Sequence, residues 1–127
     1  MSRVEDFVYN ISLRCENFEA FWESERTWHS DEQGHISLHG AFSVLSEFVT
    51  ANFQDLPYNQ HQNLWEWVEW QFSSAEEDRA EAVVTCFLEN LADTQAEQHC
   101  RPFMPENLVR WFDEHCQRGR QKRWFED

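Results

Sequence analysis

Apolar residues in this chain recur at steps of three and four in five separate segments, and a chain patterned in that way buries them by packing helix against helix. The first segment carries Val4, Phe7, Val8, Ile11, Cys15, Phe18 and Trp22 behind Ser2 and Glu5, which make a capping-box pattern, and it predicts one long helix to about Trp22. The second runs from Leu38 through Phe42, Leu45 and Val49 to Phe53, and Pro57 opens the third. Ser74 with Glu77 forms a second capping-box pattern ahead of Val83, Val84, Phe87, Leu88 and Leu91. A fifth follows Pro105, with Leu108, Val109, Trp111, Phe112 and Cys116, and Gly119 is its expected stop. Between the first two, the stretch SERTWHSDEQGH has the polar turn chemistry of a loop, with Gly34 at its bend. The expected fold is all-α: one domain of about five helices over residues 1–117, followed by a basic, aromatic tail at 118–127.

The third segment, NLWEWVEWQF at 63–72, tests the helical reading. At 100° per residue, Leu64, Trp65, Trp67, Val68 and Phe72 fill one arc, with Glu66 and Glu69 opposite and Trp70 at the margin. A strand fails, because one alternating set holds Glu66 and the other Glu69. Trp67, Val68 and Phe72 are therefore assigned to the core. Trp70, and Trp28 in the polar loop, are assigned as exposed anchors of the kind that dominate binding energy.

Charge narrows the partners. The chain carries a formal net charge of −14, and residues 1–117 hold 6 basic against 22 acidic groups. Nucleic acid and anionic lipid are repelled by such a body, and a cationic partner is attracted. The acidic groups fall in helical sets: Glu16, Glu19 and Glu23 on the first helix, Glu66 and Glu69 on the third, and Glu76, Glu77 and Asp78 at the start of the fourth. No secretory signal and no membrane-length apolar run is read from the sequence, so a cytoplasmic location with four reduced cysteines is expected.

Signals for chemistry are weak. There is no glycine-rich phosphate loop, paired-cysteine motif or serine elbow. His99–Cys100 and His115–Cys116 are adjacent pairs where structural zinc sites space their ligands by two to four residues. Glu32 and His35 have the spacing of a di-iron carboxylate pair, but that site needs two such pairs on helices. His35 and His39 could share a helical face but have no catalytic glutamate between them, and no cysteine is marked as a nucleophile. The expectation is no catalytic residue, no metal and no cofactor.

GAFSVLSEFVTANF at 40–53, the aromatic acidic helix after it, and SSAEEDRAEAVVTCFLENL at 73–91 together resemble a small, acidic, mostly helical bacterial family. That family includes immunity proteins of polymorphic toxin and contact-dependent inhibition systems. The resemblance covers about residues 36–91, with FLENL its most distinctive part. It implies a protein that binds a cognate toxin domain, often a cationic nuclease such as an RNase, and covers its active site. No functional residue carries over by position, and the basic aromatic tail departs from the pattern. The alternative is a non-enzymatic helical adaptor or regulatory module. The residues assigned to partner binding are Glu16, Glu19, Glu23, Trp28, Glu66, Glu69, Trp70, Glu76, Glu77 and Asp78.

Overall fold

Ser2 accepts a hydrogen bond from the Glu5 amide at 3.1 Å and starts α1 (Arg3–Arg14), as the capping pattern requires. The predicted long helix then breaks. Cys15 takes an extended conformation (φ −128°, ψ 109°), and α2 (Phe18–Glu25) begins after Asn17. In one continuous helix Phe7 and Trp22 would lie roughly 22 Å apart. Their ring centroids are 6.4 Å apart, so α2 has folded back along α1. The apolar steps of three and four run unbroken across the turn, which is why periodicity alone missed it.

The computed structural model describes residues 2–116, in seven helices and no strand. The remaining helices are α3 (Leu38–Asn52), α4 (Tyr58–Phe72), α5 (77–91), α6 (Gln95–Cys100) and α7 (Glu106–His115). Two helices more than expected arise from the α1–α2 break and from α6, which occupies the segment between the fourth and fifth predicted helices. Thr94 caps α6 by accepting from the Glu97 amide at 3.2 Å. Pro102 then sits in a single 3₁₀ turn, Arg101–Phe103. The stop at Gly119 and the basic tail lie outside the described residues.

Two further corrections concern local geometry. Ser74 accepts from the Glu76 amide at 3.1 Å, so the bond closes a tight turn and the expected capping box with Glu77 does not form. Within α5 the stretch Val83–Leu88 is π-helical, an expansion that sets its inner residues against α3. The loop before α3 contains a 3₁₀ turn (Arg26–His29) and an isolated bridge between Ser30 and Ile36. Asp31 organises its bend by accepting from the Gln33 and His35 amides, both at 2.9 Å, with Gly34 at φ +82°.

The core is aromatic. Phe7 of α1 meets Phe42 of α3 at 4.9 Å and Trp67 of α4 at 5.5 Å, both edge to face, and Phe18 of α2 at 6.3 Å. Phe18 in turn meets Phe48 at 5.3 Å. Such pairs add to the burial energy of rings this large. Four helices are thus joined through one side chain. Phe7→Ala should cost about 3–5 kcal/mol in urea unfolding, with Phe7→Leu losing clearly less. A loss below about 1 kcal/mol in the alanine variant would show that the hub is not the organising contact.

Candidate partner-binding surface

Between Arg26 and Arg79 the sequence has neither lysine nor arginine, so α3, α4 and the connections around them carry no permanent positive charge. Glu66 on α4 and Glu19 and Glu23 on α2 are exposed, and Glu69 is half-buried. Glu16 lies in the α1–α2 turn rather than on a helix, and its amide donates to Gln60 Oε1 at 3.3 Å, so the expected three-residue face reduces to Glu19 and Glu23. Glu77 and Asp78 form the exposed first turn of α5, where the helix dipole favours them. Glu76 is different. It pairs with Arg3 at 2.8 Å and Arg79 at 3.2 Å, tying the start of α1 to α5. Its charge is spent within the protein, whereas the other assigned carboxylates have no ion-pair partner among the described residues.

Both assigned tryptophans are exposed. Trp70 is 72% accessible and Trp28 is 81%, while Trp65 and Trp67 of the same aromatic stretch are buried. Two surface grooves collect several of the assigned residues on either side of α1. A groove of about 930 Å³ between α1, α2 and the 34–38 segment has Trp22 and Val8 in its lining, with Glu5, Glu19 and Glu23 around it. A second, of about 490 Å³, lies between α1 and α4 and is lined by Leu13, Arg14, Asn63, Glu66, Trp67 and Trp70. Trp28, Glu77 and Asp78 line neither. Tyr9 (55% exposed) and Leu13 (66%) were not singled out from sequence, although both lie off the inward arc of Phe7 and Ile11. That outward position, one turn apart on a helix, is the signal that could have found them.

The buried polar groups serve the interior. His61 Nε2 donates to the Phe53 carbonyl at 2.9 Å, which leaves Nδ1 unprotonated and facing Cys100 Sγ at 4.0 Å, and the ring stacks on Phe103. Burial holds His61 below its ordinary 6.5, and burial pushes the Cys100 and Cys15 thiols up to about 12. This is the reverse of the thiolate–imidazolium pairing a cysteine nucleophile needs. The two His–Cys pairs do not converge either: Cys100 faces His61, whereas His115 Nδ1 bonds the Trp111 carbonyl at 2.8 Å.

Asp93, Glu97 and Cys116 bring three donor atoms within 4.8 Å of one another, a spacing that could hold a metal ion. Those atoms are already engaged. Glu97 is fully buried, takes Arg101 Nε at 2.6 Å and accepts the Cys116 thiol proton at 2.9 Å. Burial would raise its carboxyl, but the bonds from Arg101, Cys116 and the Asp93 amide outweigh burial and hold it below its ordinary value. Burial and the neighbouring Glu97 push the Cys116 thiol up to about 11. A metal would have to displace both a proton and a guanidinium, so the trio acts as a structural clasp between α6 and the end of α7.

A histidine whose folded value lies below its unfolded one stabilises the fold while neutral, so that contribution is complete above about pH 6.5 and is lost as pH falls through the lowered value. Urea unfolding between neutral and mildly acidic pH should show this decline, and His61→Phe should flatten it; an unchanged slope would reject the assignment. A thiol reagent should modify Cys86 in the native protein, since Cys86 is the half-buried cysteine, and should reach Cys15, Cys100 and Cys116 only on unfolding. Rapid native modification of Cys100 would contradict its protected state.

No helix among the described residues is long and apolar enough to cross a membrane. Comparison with curated proteins and with solved structures gave no match. A family model described as a domain of unknown function, DUF7674, matches residues 11–119, from within α1 to beyond α7. With most of its length inside that match, the chain belongs to the DUF7674 family.

Proposed function

We propose that this protein is an immunity protein, a non-enzymatic inhibitor that binds a cognate cationic toxin domain, in the first instance a nuclease of the RNase kind, and covers its active site. The observation that carries the reading is the absence of lysine and arginine between Arg26 and Arg79, together with exposed carboxylates at Glu19, Glu23, Glu66, Glu77 and Asp78 that have no ion-pair partner among the described residues. A nuclease must present a positive cleft to bind phosphate, and an acidic helical surface competes for it. The resemblance of residues 36–91 to immunity proteins supports the same reading. Inhibition is then steric and electrostatic. It uses no metal, no cofactor and no nucleic acid, and it takes place in the cytoplasm.

The test captures basic protein domains from the host with the tagged protein at low salt and assays each for toxin activity. The complex should form at low salt, be enzymatically silent, and release active toxin at high salt. Reversing Glu77 and Asp78 to lysine should slow association by about tenfold and flatten its salt dependence, because exposed charges act mainly on encounter. A toxin that stays active in the complex, or that fails to bind at low salt, would reject inhibition and favour the adaptor reading.

A further inference from the structure

Three of the five exposed large apolar side chains among the described residues border the two grooves beside α1. Tyr9 lines the larger groove, and Leu13 and Trp70 line the smaller. Tyr9 and Leu13 are one helical turn apart and point outward together. Each groove also holds a carboxylate with no ion-pair partner among the described residues: Glu19 and Glu23 in one, Glu66 in the other. Three arginines share that lining, Arg3 and Arg26 in the larger groove and Arg14 in the smaller. Arg3 pairs with Glu76, Arg26 lies over the Trp22 ring at 5.6 Å, and Arg14 turns back to the Asn10 carbonyl at 2.9 Å. The result is an apolar ridge with a rim acidic on balance, Glu5, Glu19, Glu23 and Glu66 outnumbering Arg14 and Arg26, the anatomy of a protein-binding patch whose centre anchors and whose edge steers.

We infer that this α1 ridge is the docking face for the cationic partner, and that its occupant is an amphipathic basic helix. Its apolar side chains lie beside Leu13 and Trp70, and its lysines or arginines reach Glu66, Glu19 and Glu23. This rests on the cationic-partner reading and adds where the partner sits. A symmetric second copy is disfavoured, because twofold pairing would bring these carboxylates against their own equivalents. The acidic turn at Glu77 and Asp78 lies outside both grooves, so in this reading it steers and does not hold.

The experiment measures binding to the full chain, at low salt, of a synthetic amphipathic leucine–lysine helix and of a lysine peptide of equal charge without leucine. The amphipathic helix should bind more tightly, and Leu13→Asp or Trp70→Ala should weaken it at least about tenfold, while Tyr58→Ala and Glu114→Gln, exposed and outside both grooves, change it by less than about twofold. Circular dichroism confirms that these surface variants remain folded. If both peptides bind alike and neither responds to Leu13 or Trp70, the ridge is not the anchor, although attraction to cations stands. If Trp28→Ala has the larger effect, the docking face is elsewhere. If the free protein is a dimer that Leu13→Asp dissociates, a second copy covers the ridge and the inference fails. Binding of neither peptide overturns it as well.

Discussion

The contact on which the rest of this molecule depends is the clasp of Phe7 by rings from three other helices. Phe42, Trp67 and Phe18 close on it at 4.9 to 6.3 Å, and that closure fixes the direction of α1 against α2, α3 and α4. The turn at 15–17 is its precondition, since a straight helix would carry Phe18 and Trp22 far from Phe7. The two grooves are its consequence. With α1 held across the bundle by its inner face, its outer face stands as a ridge with α2 on one side and α4 on the other. Tyr9 and Leu13 are carried outward by the same rotation that sends Phe7 and Ile11 inward.

Charge is distributed in a complementary way. Four of the six arginines among the described residues form ion pairs with carboxylates of the same chain: Arg3 and Arg79 with Glu76, Arg101 with Glu97 and Asp113, and Arg110 with Glu106. Arg101 and the fully buried Glu97 close the α6–α7 end of the fold, and burial makes that pair hard to break from one side. Among the described residues the positive charge is therefore largely taken up in structure. The acidic excess remains on the outside, where it works against compaction and in favour of meeting a cation.

Much of this was legible in the sequence, and the failures have identifiable causes. Helical steps gave the class and the correct interior of α4, including the split between buried Trp67 and exposed Trp70, because one ring off the apolar arc is visible in a helical projection. Helix count was not legible where the steps of three and four continued through the Cys15 turn, since periodicity reports a face and not a direction. Ser74 misled for a similar reason: the capping-box spacing was present, but the hydroxyl was taken by the Glu76 amide one residue early. Of the assigned site residues, Glu19, Glu23, Glu66 and Trp70 are brought to the grooves, whereas Glu76 is withdrawn into ion pairs. Composition could not separate these, because an ion pair between α1 and α5 depends on tertiary placement.

That separation matters for how an acidic protein of this kind can be selective. Charge alone attracts any cation, is screened within about 8 Å at physiological salt and so discriminates poorly between basic partners. Exposed rings and aliphatic side chains act at short range and only against a surface of matching shape, so they govern how long a complex lasts more than how fast it forms. In the proposed reading the two tasks fall to different elements. The first turn of α5 presents charge outside both grooves, and the α1–α4 groove presents Leu13 and Trp70 beside Glu66 and Arg14. On the proposed reading, substitutions along this ridge would change which partner is held while the acidic turn kept capture rapid.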